Sequence, residues 1–264
     1  LAVLDPTAAL IGLAAVLTAA AVAWLLSLWL RDASIADVCW GLGFVGLAWL
    51  YCLSSPTLTA RSWLVACLVT LWGARLSAHI LRRRHGQEED PRYQAMRASR
   101  GRAFWWRSLF TVFWLQGTIL WFVALPLLVA VRSEQPAALT AVDGVGCLLF
   151  AVGFGFEVVG DLQLRRFKAD PSNRGQVLDS GLWRCTRHPN YFGDATLWWG
   201  LFTIAAATPG GWLTGLSPAL MTFLLMRVSG VTLLEQSLTA SKPGYRAYIA
   251  RTPAFFPWFP RASR

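Results

Sequence analysis

An all-α, polytopic membrane protein is the expectation from three features of this 264-residue chain. Fifty-five per cent of its residues are hydrophobic and 14% are charged, against about 25% charged in an ordinary soluble domain. Apolar stretches near the ~20 residues that cross a bilayer recur along the whole length. The cations gather at alternate ends of those stretches, which is how membrane proteins set their orientation. A mean hydropathy of +0.46 agrees.

Seven spans are expected, near 7–30, 35–53, 62–83, 104–131, 137–164, 192–208 and 212–236. The first has no basic region before it, is too long for a cleaved signal peptide, and is followed directly by further spans. The second opens at Ser34-Ile-Ala-Asp37, where Asp37 can cap a helix N-terminus. The third ends in Arg82, Arg83 and Arg84, and an arginine-rich loop leads to the fourth. The fifth runs down into Arg165, Arg166 and Lys168. The sixth opens with Asp194 near its start, and the seventh carries Arg227 and Glu235.

Twenty of the 24 Lys and Arg fall on one side: Arg31, the cations around loop 84–103, those of loop 165–191, and Lys242, Arg246, Arg251, Arg261 and Arg264 of the tail 237–264. Arg61 and Arg132 stand opposite, with Arg75 and Arg227 inside spans. The N-terminus is therefore expected outside and the C-terminus in the cytoplasm. One integral membrane domain, 1–264, is the economical organisation. The net charge of +10 follows from this topology and from contact with anionic membrane lipid. No nucleic-acid partner is expected, because the cations sit beside spans and no binding motif accompanies them. Five scattered cysteines without ligand spacing suggest packing residues rather than a metal site, and no obligate protein partner is evident.

Asp37, Arg75, His79, Glu157, Asp161, Asp194, Arg227 and Glu235 lie inside spans or at their ends. A charge near the bilayer centre costs about 2.5–3.5 kcal/mol on insertion scales, so these groups should face one another or a polar cavity. Glu157, Asp161 and Arg165 are successive i, i+4 neighbours with Lys168 one turn on, and Arg75 and His79 are a second such pair. Structural ion pairs between helices are the alternative. In an apolar cavity, Asp37 would be held protonated and could donate to a carbonyl.

Gly41-Leu-Gly43-Phe-Val-Gly46 has dinucleotide-fingerprint spacing, but inside an apolar span it reads as close helix packing. Asn173-Arg174 through Asp194 is more specific. Gly181 and Pro189 shape the chain, and Arg187, His188 and Asn190 supply the donors that phosphate oxygens require. The rings and cations of Lys242-Pro243-Gly244-Tyr245-Arg246, Tyr248 and Arg251 suit either an adenine with its phosphates or an interfacial belt.

Taken in order, three blocks resemble the bacterial membrane enzymes related to steroid 5α-reductases: Ser34-Ile-Ala-Asp37-Val-Cys-Trp40-Gly41; Arg75-Leu-Ser-Ala-His79-Ile-Leu-Arg82-Arg with Gly86, Glu88, Asp90, Arg92 and Tyr93; and Gly181 through Asp194 with the tail beyond Glu235. The resemblance implies NADPH bound between helices and open to the cytoplasm, in a bacterial inner membrane, and reduction of the 4,5 double bond of a 3-oxo-Δ4 steroid or similar enone lipid. It implies cofactor contacts from Asp161, Arg165, Lys168, Asn190, Tyr191, Asp194 and Arg227, with Glu235, Tyr245 and Tyr248 around them. Asn173, Arg174, Arg187 and His188 join that cofactor set. Asp37 falls where eukaryotic relatives place a Gln-Glu pair that holds the substrate ketone, and His79 where they place a tyrosine. Asp37 and His79 are thus the expected catalytic residues, with Trp40 and Arg75 beside the substrate. Ala36-Asp37 leaves one acid and no amide, and Glu157 stands where eukaryotic relatives have asparagine. A membrane methyltransferase using S-adenosylmethionine also resembles the Arg-His-Pro-x-Tyr segment. A non-catalytic lipid-binding or transport protein is the third reading.

Overall fold

The computed structural model describes residues 5–228 and 231–259, so Arg261 and Arg264 of the predicted tail lie outside the described residues, as do positions 229–230 of the seventh predicted span. Every regular element among the described residues is helical. The chain forms α1 (Pro6–Leu30), α2 (Ile35–Leu53), α3 (Ala60–Arg84), α4 (Pro91–Arg100), α5 (Phe104–Ser108), α6 (Leu115–Val123) and α7 (Leu125–Arg132). There follow α8 (Ala141–Ala169), α9 (Leu182–Cys185), α10 (Pro189–Ala206), α11 (Leu216–Phe223), α12 (Val231–Ser241) and α13 (Tyr245–Arg251). These residues group into two units. The first holds residues up to Thr140 with Ile204–Ser217, the second Ala141–Thr203 with the residues from Pro218 onward.

Among the described residues five helical segments are long and apolar enough to cross a membrane: α1, α2, α3, α8 and Gly211–Val228. A sixth is the pair Pro91–Val123 and Leu125–Arg132, bent by 42°. Pro126 explains the bend, since it cannot donate to the Phe122 carbonyl one turn back, and Ser217 Oγ donates to that carbonyl instead at 2.8 Å. Among the described residues five or six of the seven expected spans thus meet these criteria. The sixth predicted span exists as α10, but its first turns carry Pro189, Asn190 and Asp194 and dilute its apolar content.

In the first unit, α2 and α3 meet backbone to backbone. A Cβ on Gly41 would lie 2.5 Å from the Gly73 carbonyl oxygen, and one on Gly73 equally close to that of Gly41. Small residues permit such approach between apolar helices. The packing expected of the glycine motif thus holds for Gly41. Gly43 instead meets the Leu120 side chain, and Gly46 opens onto empty space.

Charged clamps close both ends of this unit. At one end Arg132 bonds Asp5, the N-cap of α1, at 2.8 Å, and buried Arg61 donates to the Pro136 carbonyl at 2.9 Å. At the other, Glu89 accepts from the Ala33 backbone at 2.8 Å and is gripped by Arg97, while Arg84 bonds Asp32 at 2.9 Å and Ser34 Oγ accepts from the Asp90 backbone at 2.9 Å. This second clamp holds the start of α4 against the start of α2.

In the second unit α8 and α10 pack just as closely. A Cβ on Gly193 would lie 2.5 Å from the Glu157 nitrogen, one on Gly153 2.4 Å from the Leu197 nitrogen, and one on Gly200 2.6 Å from the Phe150 nitrogen. Gly160 abuts Pro189 and Asn190, bringing the first turn of α10 onto Asp161.

Candidate functional site

Asp37 lies in the first turn of α2, while Ser34 occupies the capping position without a side-chain cap bond. Its carboxylate is instead fully engaged by α4. Arg92 Nη2 pairs with Oδ2 at 2.7 Å and the Tyr93 hydroxyl donates to Oδ1 at 2.7 Å. Asp37 therefore accepts at both oxygens in this arrangement. Gln116, on α6, extends the chain by donating to the Tyr93 hydroxyl at 3.0 Å. Arg92 is steadied in turn by Asp90 at 2.9 Å. Burial acts against ionisation of Asp90, but hydrogen bonds from Arg92 and its charge prevail and lower the carboxyl from its ordinary value.

A groove of about 430 Å³ opens beside this chain, between α1, α2 and α6. Its walls are Ala15, Val16, Ala19, Trp40, Leu47, Phe113, Leu120 and similar apolar groups, with Gly43 and Gly46 giving it depth. Trp40, expected beside the substrate, does line it and packs edge-on against Phe44 at 5.3 Å. Arg75 and His79 share α3, four residues apart and half-buried. The hydroxyl that meets Asp37 is that of Tyr93, not a group from α3.

The second unit gathers most of the predicted cofactor residues around α8 and α10. Glu157 and Asp161 are buried on one stripe of α8, and Arg165 and Lys168 are exposed at its end. Asn190 donates to Asp161 Oδ1 at 3.2 Å, while its own Oδ1 is buried without a hydrogen-bond partner among the described residues. Tyr191 and Asp194 continue along the same helix. Arg227 is exposed in a π-helical stretch, Leu224–Val228.

Three residues of the expected cofactor set have protein partners. Arg187 makes a forked pair with Glu235 at 2.7 and 3.1 Å, and donates to the Ile249 and Thr252 carbonyls. His188 is buried, 3.1 Å from the same carboxylate and stacked on Tyr191 with ring centres 5.5 Å apart. Asn173 donates to the Phe167 carbonyl and finishes α8. Arg174 is exposed. The tail is drawn in by the same device: Arg187 and Trp258 backbone nitrogens donate to Pro253 and Cys185 carbonyls, each at 2.9 Å. Tyr248, expected around the cofactor, donates its hydroxyl to the Trp183 carbonyl. Burial, then the nearby Glu235 charge, pushes the Tyr245 hydroxyl up to about 12. Glu235 itself is lowered: burial opposes this, but hydrogen bonds from His188 and Arg187 outweigh it. Gly181, at φ +60° with the Gln163 amide against its Cα, makes the turn into α9 as expected.

Comparison with known proteins places these features in context. An uncharacterized protein of Schizosaccharomyces pombe, C594.04c, is 26% identical over 261 residues, covering 89% of this chain and 76% of its own length. A probable O-methyltransferase of Ustilaginoidea virens, ustE, is 36% identical over 75 residues, which is 28% of this chain and 25% of that protein. No solved structure matches. A family profile described as protein of unknown function (DUF1295) matches residues 23–252, and the chain belongs to that steroid 5α-reductase-like family.

Proposed function

We propose that this protein is an NADPH-dependent membrane reductase acting on the carbon–carbon double bond of a lipid-soluble enone. The observation that carries the reading is the hydrogen-bonded chain Arg92–Asp37–Tyr93–Gln116 at the edge of an apolar groove. A flat lipid fits such walls, and a chain of polarisable donors at one end fits an oxygen on which charge develops. NADPH, when bound, supplies a hydride to the β-carbon of the enone. The π electrons of the double bond then move toward the carbonyl oxygen, and a proton from water completes the product at the α-carbon. Gln116 brings this chain to the groove wall, and the Tyr93 hydroxyl behind it, held by Asp37 and Arg92, helps to stabilise the growing negative charge.

The residues of α8 and α10 fit this cofactor. The buried, unpartnered Asn190 oxygen requires an N–H or O–H donor, and both the carboxamide and the ribose hydroxyls of NADPH provide one. Arg165 and Lys168 supply cations for phosphates.

The similarity to a probable O-methyltransferase favours a second reading, transfer of a methyl group from S-adenosylmethionine. Thermal denaturation of the purified protein separates the two. A ligand at 1,000 times its dissociation constant stabilises by about 4 kcal/mol. Stabilisation by NADPH and not by S-adenosylmethionine is expected, with NADH weaker. The reverse order overturns the reductase reading, and no response to either leaves lipid binding or transport.

A further inference from the structure

We infer that Gln116 is the residue by which the groove selects its ligand, and that it does so by donating to a carbonyl oxygen at one end of a flat apolar body. The inference rests on the groove being the substrate site.

The donors next to the groove can be accounted for one at a time. Tyr93 has one proton, directed at Asp37 Oδ1 at 2.7 Å, and its oxygen already accepts from Gln116 at 3.0 Å. Turning that proton toward a ligand would break a charge-assisted bond to a carboxylate that Arg92 also holds. Gln116 has two amide protons and uses one. Its second N–H and its carbonyl make no further hydrogen bond among the described residues. Gln116 also lines the groove itself, where the remaining walls offer only hydrocarbon, the Cys39 thiol and the Trp40 indole. With one N–H spent on Tyr93, the second is the donor Gln116 can offer to the groove it lines, and a ligand oxygen is the complement that takes it. A hydrocarbon of the same outline would bury that donor without a partner, so the groove discriminates by penalty as well as by attraction. Because Gln116 also touches Tyr93, the oxygen it holds lies one hydrogen bond from the chain that ends in Arg92.

The test uses the full chain in lipid nanodiscs, with binding read from tryptophan fluorescence through Trp40. The probes are a 3-oxo-Δ4 steroid and its 3-deoxy counterpart. The ketone should bind the unaltered protein about tenfold or more tighter. Gln116→Met keeps length and removes the amide; it should bring the ketone down to the level of the deoxy probe without weakening the latter. Gln116→Leu gives the same comparison in a second shape, and Tyr93→Phe should keep the preference for the ketone. Equal binding of both probes by the unaltered protein overturns the inference, as does a preference that survives in either folded Gln116 variant or is lost only in Tyr93→Phe. The result is independent of turnover: a Gln116-dependent preference without NADPH oxidation sinks only the reductase reading, and NADPH oxidation with an unselective Gln116 sinks only this one.

Discussion

Asp37, Arg92, Tyr93 and Gln116 come from three helices and behave as one unit of charge and proton, so single substitutions should separate their roles. Tyr93→Phe removes the hydroxyl behind Gln116 and should reduce turnover by about 10²–10³-fold, the range for a lost charge-stabilising donor, while stabilisation by NADPH stays intact. Asp37→Asn should act in the same direction. If His79→Ala alone shows the loss, the proton donor lies on α3 after all. Arg187 makes a contrasting case. It is buried with its fork on Glu235, so Arg187→Ala should cost about 3–5 kcal/mol by stranding that carboxylate, read as a lower melting temperature. Glu235 adds a pH signature. Its carboxyl lies below the ordinary value of 4.5, so its ionised form contributes stability that is fully present above that value and lost as pH falls through the lower, folded one. Glu235→Gln should flatten that acid limb, and an unchanged limb would remove the pairing from the stability of the fold.

Packing between helices is decided by glycines whose neighbours leave no space. Gly193→Ala would put a methyl 2.5 Å from the backbone of α8, and the backbone cannot retreat as a side chain can. A loss of about 1–3 kcal/mol is expected from such overpacking. Gly155→Ala, on α8 with nothing within 4 Å, should be neutral or slightly stabilising and serves as the control. The difference between the two melting temperatures checks the α8–α10 contact. In sequence, the three glycines of Gly41-x-Gly43-x-x-Gly46 look equivalent. Only the first touches another backbone, and the other two shape the groove, because successive residues on a helix face different neighbours.

For the whole molecule, the asymmetry of Lys and Arg predicts orientation. A reporter that fluoresces only in the cytoplasm should be bright when fused after the tail and dark when inserted near residue 56, between α2 and α3. The opposite pattern would reverse the placement of both basic loops.

Helical class, membrane character and the stripe Glu157–Asp161–Arg165 were legible from the order of residues, because hydropathy and i, i+4 spacing are local properties. Gln116 had a local signal too, an amide in an apolar run. Tyr93 had none: it sits in a basic stretch, and its contact with Asp37 spans 56 positions of sequence. The same holds for Arg187, whose composition suited a phosphate as well as a carboxylate until the fold set Glu235 against it. Composition and periodicity thus fix which segments become helices and what chemistry they carry. Which donor meets which acceptor is a matter of distance between segments far apart in the chain, and that is settled only when the helices pack.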